Sequence, residues 1–592
     1  MIKGFILAAG YSTRLRPITE HIAKPLMPIA GEVLLEWIFK NLNALTTEIG
    51  INLHYKAKKI EDYIKKQNLP LKTFYEKEIL LTGGALWNAK NFLKDSVFVV
   101  HNGDIYSDAN IKEAAKWHIE NENSITLLVH DYKPHNKLIV DKDGNLLGIG
   151  NSDKSHLAFS GIAIYSPHVL ELLPEGPSSV IDLWMRAIKN GFRVSTFKIK
   201  YSFWFDIGTP GDYASAVFDK LKRNFTSVYI HPSVCGCELI EPEGKIVVER
   251  DVKINKPFKG KNIIILPETE FTPENDYLSN IIIGKNFMIP FETPPIETLT
   301  SGGSDRKYLR ENNKVFCKWE KLSEDFEKTI ALNRFFHEKG FPVPKILEVD
   351  INKKTIAFED LGDLTLYSWL QCRRRDKKIE TIYKKILENI GKLHWGISKQ
   401  AKNLNLLEFD YSYFRWESDY FLQECVKALF KIDENLEEEL HSIAEILSKA
   451  KKVILHRDLQ SQNIMLKEGK VYFIDYQSAR WGPAGYDIAS LLWDPYVKLN
   501  DEMRIRLVNF YIKSHELDEK AFLEELSLCR IQRHMQALGA YGFLSLKKGK
   551  RNFLKFIPDA IDLLIKDLEE CHIDFSRLKN LVFNIKKQIF NI

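Results

Sequence analysis

The stretch from His456 to Asp475, HRDLQSQNIMLKEGKVYFID, constrains the fold of this chain more than any other part of the sequence. It contains the spacing H-x-D-x-x-x-x-N, followed by an apolar run that ends at Asp475. Gly469 lies between two short β-prone runs and favours a turn there. A hairpin at that glycine would bring Asn463 close to Asp475. The sequence therefore predicts a carboxylate, an amide and a second carboxylate grouped around one hairpin.

These three groups suit the transfer of a phosphoryl group from ATP, in which one carboxylate faces the attacking hydroxyl while an amide and a second carboxylate hold Mg²⁺ on the phosphates. We assign Asp458 to the first role, and Asn463 and Asp475 to the metal roles. The stretch resembles the aminoglycoside phosphotransferase and choline kinase branch of the kinase superfamily. Tyr476 and Gln477 follow Asp475, so D-F-G is absent, and no A-P-E follows. The resemblance therefore implies that the acceptor is a small molecule.

A second motif lies at the start of the chain. Residues 2–9, IKGFILAA, form a β-prone apolar run that leads into Gly10, and GYSTRLRP and a Lys-Pro pair follow. A glycine after a strand lets the backbone approach phosphates, and Arg14 and Lys24 can neutralise them. Neither GxGxxG nor GxxxxGK[ST] is present. Leu7–Pro17 is similar to the signature of the sugar-phosphate nucleotidyltransferases, L-A-A-G-x-x-T-R-L-R-P.

Two further strand ends agree with this resemblance. The apolar run 97–100 leads into His-Asn-Gly-Asp104, and a second run ends at Asp206. Two such carboxylates can share one Mg²⁺ that bridges the nucleotide and the sugar phosphate, and the resemblance makes them metal ligands. It also implies that Arg14 and Lys24 stabilise developing charge on the phosphates. The implied nucleotide contacts are Ala8, Ala9, Gly10, Thr13, Thr82 and Gly83, and the implied sugar contacts are Ser160 and Gly161. A simple turn is an alternative interpretation of Thr82-Gly83-Gly84.

The chain of 592 residues exceeds the usual size of a single core. Residues 1–225, the first domain, alternate strand-like and helix-like runs and predict a doubly wound α/β domain. Residues 226–295, the connecting segment, contain short β-rich runs that favour a few β-helix coils, with an extended linker as the alternative. Residues 296–592, the second half, predict a two-lobed kinase-like α+β domain. A Pro-rich stretch separates the halves, and we expect each half to fold alone.

The start of the second half offers further nucleotide contacts. A Gly-Gly-Ser stretch precedes the strand 315–319, and this arrangement is typical of a phosphate-covering loop and its lysine. The predicted contacts are Gly302, Gly303, Ser304 and Lys318, although a solvated strand lysine is an alternative for Lys318. Residues 356–363 resemble the hinge between kinase lobes, where the backbone at Glu359 and Leu361 would meet adenine. Glu417 and Arg533 are candidates for contact with the acceptor, or are helix-face residues.

Composition narrows the class of partner. The net charge is +5, with 84 basic and 79 acidic residues interspersed, and this balance gives no indication of nucleic-acid binding. The seven scattered cysteines are typical of reduced thiols in a cytosolic protein. The apolar residues 5–9 are too few for a signal peptide, and no run approaches a membrane-spanning length. We expect a cytoplasmic protein that acts on small molecules, without nucleic-acid or membrane partners.

Three segments indicate which kind of kinase the second half resembles, namely SGGSDRKY (301–308), DYQSARWGP (475–483) and RIQRHMQALG (530–539). They resemble the anomeric kinase of bacterial cell-wall (peptidoglycan) recycling, and the first domain resembles N-acetylmuramate-1-phosphate uridylyltransferase. The resemblance implies that the chain phosphorylates N-acetylmuramate or N-acetylglucosamine at C1 with ATP. The resemblance further implies that the chain then converts the sugar 1-phosphate to a UDP-sugar with UTP.

Two alternatives remain open at this point. One is a choline kinase joined to a CTP:phosphocholine cytidylyltransferase. Its choline site would need an aromatic cage, for which Trp395, Tyr413, Trp416 and Trp493 are available. The other is a sensor or scaffold whose kinase-like half is inactive, which the intact Asp458 disfavours.

Overall fold

The computed structural model describes residues 2–150, 155–201, 203–294, 296–299, 306–401 and 404–589. The strands of the first domain are β1 (Ile2–Leu7), β2 (Pro28–Ile29), β3 (Glu32–Val33), β4 (Glu48–Leu53), β5 (Leu71–Tyr75), β6 (Val97–Asn102), β7 (Ile105–Ser107), β8 (Ile125–His130), β9 (Leu138–Val140), β10 (Leu146–Ile149), β11 (Ser155–Tyr165), β12 (Val194–Lys198) and β13 (Trp204–Asp206). Its helices are α1 (Ile18–His21), α2 (Leu34–Asn43), α3 (Ala57–Lys66), α4 (Leu81–Asn88), α5 (Lys90–Leu93), α6 (Ile111–Glu120), α7 (Val180–Lys189) and α8 (Pro210–Arg223).

A nine-stranded mixed sheet lies at the centre of the first domain. Strand β1 runs parallel to β4 on one side and to β6 on the other, and β11 runs antiparallel to β6 and β8. Successive side chains of a strand point to opposite faces, so Phe5 and Ile6 lie fully buried in two separate cores. Helices on both faces explain why β1 is mostly apolar. The predicted doubly wound α/β class is confirmed.

The carboxyl ends of β1 and β6 meet at one edge of this sheet, because the two strands are parallel and adjacent. The loop that starts at Ala8 and the turn that carries Asp104 therefore lie side by side. Gly103 donates its backbone N–H to the Leu7 carbonyl at 2.8 Å. A Cβ at Gly103 would lie 2.6 Å from that oxygen, so this close approach requires glycine.

The connecting segment forms β-helix coils, as the sequence favours, rather than an extended linker. Its strands are β14 (Val228–Ile230), β15 (Ile240–Pro242), β16 (Ile246–Val248), β17 (Lys253–Ile254), β18 (Phe258–Ile265), β19 (Glu270–Phe271), β20 (Tyr277–Gly284) and β21 (Phe287–Pro290). Strands β14, β16, β18 and β20 stack in parallel, and β21 turns back antiparallel to β20. In the stack, Ile246 pairs with Ile263 and Ile263 pairs with Ile281.

The connecting segment shares its apolar residues between two cores. Val247, Ile264 and Ile282 belong to a core of the first domain, whereas the alternate positions Val248 and Ile265 belong to the core of the second half. Backbone contacts follow the same pattern, because Arg374 donates to the Ile240 carbonyl at 2.7 Å. The structure therefore differs from the expectation that each half folds alone. A cut in the Pro-rich stretch would leave apolar surface uncovered on both fragments.

The second half has two lobes. The strands are β22 (Ile296–Leu299), β23 (Lys307–Glu311), β24 (Lys314–Lys318), β25 (Ile346–Asp350), β26 (Thr355–Glu359), β27 (Lys452–Leu455), β28 (Ile464–Lys467), β29 (Lys470–Phe473) and β30 (Arg480–Pro483). The helices are α9 (Glu324–Glu338), α10 (Leu366–Leu370), α11 (Asp376–Gly391), α12 (Tyr411–Tyr420), α13 (Glu437–Ser448), α14 (Ala484–Leu492), α15 (Asp501–Ser514), α16 (Glu519–Leu546), α17 (Ile557–Glu570) and α18 (Ser576–Ile589). A five-stranded antiparallel sheet, in the order β22-β23-β24-β26-β25, forms the first lobe with α9, and the second lobe is mainly helical. This arrangement confirms the predicted two-lobed class.

Two properties of the whole chain bear on its class. All seven cysteines lie within the described residues and are free thiols. Across the described ranges, every helix is too short or too polar to cross a lipid bilayer.

Two candidate active sites

The first site begins with the loop after β1. The backbone N–H of Ala8 donates to Asn52 Oδ1 at 2.7 Å, and this bond fixes the start of the loop. Ala8 and Ala9 are buried, whereas Gly10 and Thr13 are exposed. The loop is therefore anchored at its base and open at its tip, as a phosphate-binding loop requires.

Charged side chains from four separate stretches meet beside this loop. Lys24 Nζ lies 2.7 Å from Asp104 Oδ2 and 3.9 Å from Asp206 Oδ1. The Arg14 guanidinium lies against Gly208, where a Cβ would approach Nη2 to 2.8 Å. Burial, and next the charge of Asp104, raise the pKa of Asp206. The structure thus brings together Arg14, Lys24, Asp104 and Asp206, which the sequence singled out.

The two carboxylates could hold a divalent cation. Asp206 Oδ1 is buried and has no hydrogen-bond partner among the described residues, so a lone pair is available. Within the described ranges there is no group of three or more His, Cys, Asp or Glu side chains that could hold a metal. A cation held by Asp104 and Asp206 would therefore fill its other positions with water or phosphate oxygens, as Mg²⁺ commonly does.

Ser160 and Gly161 lie against the turn that carries Asp104. Gly161 has φ +82°, and a Cβ there would lie 2.6 Å from Ile105 and 3.2 Å from Asn102. The carbonyl of Ser160 accepts a hydrogen bond from Trp204 Nε1 at 2.9 Å. The predicted sugar loop is therefore next to the paired carboxylates.

Thr82 and Gly83 make structural contacts. Gly83 N–H donates to the Ser178 carbonyl at 2.7 Å, and Thr82 Oγ1 accepts from Val180 N–H at 3.0 Å. A Cβ at Gly83 would lie 2.9 Å from the Ser179 carbonyl. These contacts join α4 to the start of α7, and Thr82, Gly83 and Gly84 lie in the first turn of α4 rather than in a simple turn.

The second site is built on a loop whose backbone Asp487 fixes. Asp487 accepts hydrogen bonds from the backbone N–H groups of His456 at 2.7 Å and Arg457 at 2.9 Å. Its buried carboxylate also lies 3.1 Å from His394 Nε2. Arg457 has φ +75°, a conformation that these bonds hold in place. Asp458, the next residue, is thereby fixed in orientation.

The predicted hairpin groups Asp458, Asn463 and Asp475. Strands β28 and β29 pair antiparallel, and Ile474 N–H donates to the Asn463 carbonyl at 3.0 Å. Asn463 Nδ2 donates to the Asp458 carbonyl at 2.8 Å, which directs the amide oxygen away from that bond. Burial raises the pKa of the Asp458 carboxyl, but Arg457, 2.7 Å away, and Arg533 together outweigh this effect and hold the pKa below its usual range. The Asp458 carboxylate is therefore ionised.

An arginine that sequence reasoning missed contacts Asp475. Arg306 Nη2 donates to Asp475 Oδ1 at 3.0 Å and lines the cleft between the lobes. Lys318 is exposed, because its neighbours Cys317 and Trp319 face the core of the first lobe and alternate residues point to the other face. The structure therefore places Arg306, and not Lys318, beside Asp475, where the nucleotide phosphates are expected. The alternation of side chains along β24 is the sequence feature that could have indicated the exposed position of Lys318. Gly302, Gly303 and Ser304 lie outside the described residues.

A cavity of about 980 Å³ lies between the lobes. The hinge lines one wall, including Glu359 and Leu361, and the Glu359 carboxylate turns away to accept from Lys345 N–H at 2.7 Å. Arg533 lines the opposite wall and donates to Ser490 Oγ at 2.8 Å. Glu417 lies behind the wall, fully buried, where it accepts from Tyr486 Oη at 3.0 Å and lies 3.6 Å from Arg457. Glu417 thus supports Arg457.

The four aromatic residues considered for a choline cage do not surround the cavity. Trp395, Tyr413, Trp416 and Trp493 are absent from its described lining. The guanidinium groups of Arg480 and Arg530 already lie over the rings of Tyr413 and Trp493, at 4.0 and 4.3 Å from the ring centres.

Comparison with known proteins places each half of the chain in an enzyme family. Residues 3–223 match the family model described as nucleotidyl transferase, and residues 295–525 match that described as phosphotransferase enzyme family. A bifunctional protein GlmU of Methanocaldococcus jannaschii is 31% identical over 257 residues, covering 41% of this chain and 60% of that protein. A UTP–glucose-1-phosphate uridylyltransferase of Synechocystis is 28% identical over 257 residues, covering 39% of this chain and 66% of that protein.

The curated relatives are matched over part of their length. The chain spans 52% to 60% of the length of the GlmU relatives that it matches. The crystal structure of HddC from Yersinia pseudotuberculosis is 27% identical, with a TM-score of 0.33, and covers 37% of this chain and all of that one. The chain therefore joins a nucleotidyl transferase domain to a domain of the phosphotransferase enzyme family, and both are enzyme families.

Proposed function

We propose that the chain is a bifunctional enzyme of cell-wall sugar recycling. Its second half phosphorylates N-acetylmuramate or N-acetylglucosamine at C1 with ATP, and its first domain converts the sugar 1-phosphate to a UDP-sugar with UTP. The observation that supports this most is the presence, in one chain, of a complete Asp458–Asn463–Asp475 group and a Lys24–Asp104–Asp206 group. A kinase that makes a sugar 1-phosphate supplies the nucleophile that a nucleotidyl transferase consumes.

In the second half, Asp458 orients the C1 hydroxyl and accepts its proton. The C1 oxygen attacks the γ-phosphorus, the new O–P bond forms, and the bond to the β,γ-bridging oxygen breaks, so that ADP leaves. Arg306 would steady the nucleotide phosphates. The low pKa of Asp458 keeps it ionised and able to receive the proton.

In the first domain, an oxygen of the sugar phosphate attacks the α-phosphorus of UTP and pyrophosphate leaves. Arg14 and Lys24 stabilise the charge that develops on the phosphates. Mg²⁺, when bound, would neutralise phosphate charge at both sites, held by Asp104 and Asp206 in one and by Asn463 and Asp475 in the other. The unpartnered Asp206 Oδ1 fits such a ligand.

The residues considered for a choline cage give no support to the choline alternative. None of Trp395, Tyr413, Trp416 and Trp493 lines the described part of the kinase cavity.

The test supplies ATP and UTP with each amino sugar, and ATP and CTP with choline, and identifies the products by mass spectrometry. We expect a UDP-sugar from an amino sugar only. Asp458→Asn should lower sugar phosphorylation by about 10²- to 10⁴-fold yet still convert supplied sugar 1-phosphate. Asp104→Asn should stop nucleotide-sugar formation and let sugar 1-phosphate accumulate. A CDP-choline product, or full kinase activity in Asp458→Asn, would contradict the proposal.

A further inference from the structure

The Asp475 carboxylate is saturated on one oxygen and open on the other. Oδ1 accepts a hydrogen bond from Gln477 Nε2 at 2.6 Å and a second from Arg306 Nη2 at 3.0 Å. A carboxylate oxygen has two lone pairs, so these two donors occupy both of them. Oδ2 accepts no hydrogen bond from any residue that the structure describes, and Asp475 lines the cavity between the lobes. Oδ2 is therefore the oxygen that Asp475 can offer to a cation.

The Gln477 amide is fixed beside this carboxylate. Its side chain is 8% exposed, and because a carboxylate only accepts hydrogen bonds, the amide nitrogen must face Asp475. The residue between them is anchored, since Tyr476 Oη accepts a hydrogen bond from the buried Asn333 Nδ2 at 2.6 Å. Asp475 has φ +63°, a conformation that this anchored segment holds in place. Gln477 belongs to the same segment as Asp475, so it keeps its contact with Oδ1 when the lobes move.

Few protein oxygens remain for a metal in this cleft. Asn463 can offer Oδ1, because its Nδ2 is donated to the Asp458 carbonyl, and Asp475 can offer Oδ2. No cluster of three or more acidic, His or Cys side chains suited to a metal occurs among the described residues. One Mg²⁺ can take these two oxygens and fill its other positions with phosphate oxygens and water. In protein kinases the corresponding aspartate and asparagine hold two Mg²⁺. A second ion here would need a further protein oxygen, and Oδ1 is already taken.

We propose that the kinase site binds a single Mg²⁺ with ATP, and that Gln477 sets this number by occupying Asp475 Oδ1. The inference rests on the proposed kinase reaction, and it assigns Gln477 as a positioning residue for the metal ligand. A glutamate at position 477 could not donate to Asp475 and would supply a carboxylate ligand of its own. The identity of this one side chain therefore separates a site for one ion from a site for two.

The test counts bound ions by equilibrium dialysis of the full chain against Mn²⁺ and the non-hydrolysable ATP analogue AMP-PNP. The excess of Mn²⁺ in the protein compartment is the metal held by the chain. The substitutions Asp104→Asn and Asp206→Asn remove the proposed ligands of the first site and serve as the background. We expect one Mn²⁺ per chain in this background, and none when Asp475→Asn is added. Gln477→Glu should bind two, whereas Gln588→Glu, at an exposed position of α18, should still bind one.

The count also separates this inference from the proposed reaction. Two bound Mn²⁺ with glutamine at position 477, or none, would overturn the inference, and so would a count of one in a folded Gln477→Glu chain. Thermal unfolding shows whether that variant is folded, and if it is not, the count with glutamine present decides alone. One bound Mn²⁺ without phosphorylation of any sugar would support the single-metal site and contradict the kinase proposal. Sugar phosphorylation with two bound Mn²⁺ would do the reverse.

Discussion

Arg306 holds the position in the kinase cleft where a phosphate-binding cation is needed. It pairs with Asp475 at 3.0 Å and lies 3.8 Å from Asp325. The charges of Tyr308 and Asp475 outweigh its burial and raise the pKa of its guanidinium further, so it stays charged at any working pH. A planar guanidinium can bridge a carboxylate and a phosphate oxygen at once.

The first prediction compares the two candidate cations. Arg306→Ala should lower kcat/KM for ATP in the kinase reaction about a hundredfold, the usual cost of a lost charge-stabilising donor. Lys318→Ala should stay within about twofold, because this side chain is solvated. Steady-state kinetics with varied ATP measure both, and thermal unfolding checks that Arg306→Ala is folded. A larger loss of kcat/KM in Lys318→Ala than in Arg306→Ala would assign the phosphate-binding role to Lys318.

Residues close together along the chain were the ones that sequence could place. The spacing of Asp458, Asn463 and Asp475 sets a hairpin, and the structure has that hairpin. Arg306 and Lys318 show the limit of such reasoning. Which of the two reaches the cleft depends on the face to which each side chain points. Glu417 shows the same limit, since a buried ion pair and a contact with the acceptor look alike in sequence.

At the scale of elements, strand β16 joins the connecting segment to the first domain through one buried carboxylate. Glu249, the residue after β16, accepts hydrogen bonds from Gly31 N–H at 3.2 Å to each of its oxygens. A Cβ at Gly31 would lie 2.1 Å from the Tyr229 hydroxyl, so the close approach of this turn requires glycine. Burial raises the pKa of Glu249 to about 7, and the Gly31 bond only partly offsets this effect.

The second prediction follows from the sign of that shift. Between pH 4.5 and 7 the folded state binds the Glu249 proton more tightly than the unfolded state, so this group's contribution is present at low pH and is lost as the pH rises through about 7. The loss is on the order of 3 kcal/mol. Glu249→Gln cannot ionise and should flatten the fall in unfolding free energy between about pH 4.5 and 7.

Chemical denaturation at several pH values measures this difference. Glu274→Gln, which changes an exposed carboxyl on the same segment, is the matched control and should keep the wild-type profile. An unchanged profile in Glu249→Gln would mean that another group sets the pH dependence.

Element type was predictable over most of the chain, whereas the faces of the connecting segment were not. The runs GKIVVERDVKI and KNIIILPETEF predict strands because they are rich in β-branched residues. Val247 and Val248 are equally apolar, yet they enter different cores. Continuous apolar runs mark a strand covered on both sides but do not say what covers each side.

At the scale of the whole molecule, α8 connects the two sites directly. It begins at Thr209-Pro210, immediately after the Asp206 turn, because Thr209 caps the helix and proline suits its first position. Its 14 residues extend about 21 Å and end at the kinase cavity. A single helix thus spans the distance between the paired carboxylates and the kinase cavity.

The third prediction concerns a break in the chain between the halves. Residues 1–290 and 296–592, expressed separately, should be poorly soluble or unstable, because the connecting segment shares one apolar core with the helices of the second half. The kinase fragment would also lack Lys222 and Phe225, which line the kinase cavity, so its KM for the sugar should rise. A full chain with a protease site inserted in the Pro-rich stretch 292–295 and cut after folding is the control. Its halves should co-elute in gel filtration and keep both activities, because the shared core is already formed. Separate halves that are soluble, monomeric and fully active when mixed would restore the expectation of independent folding.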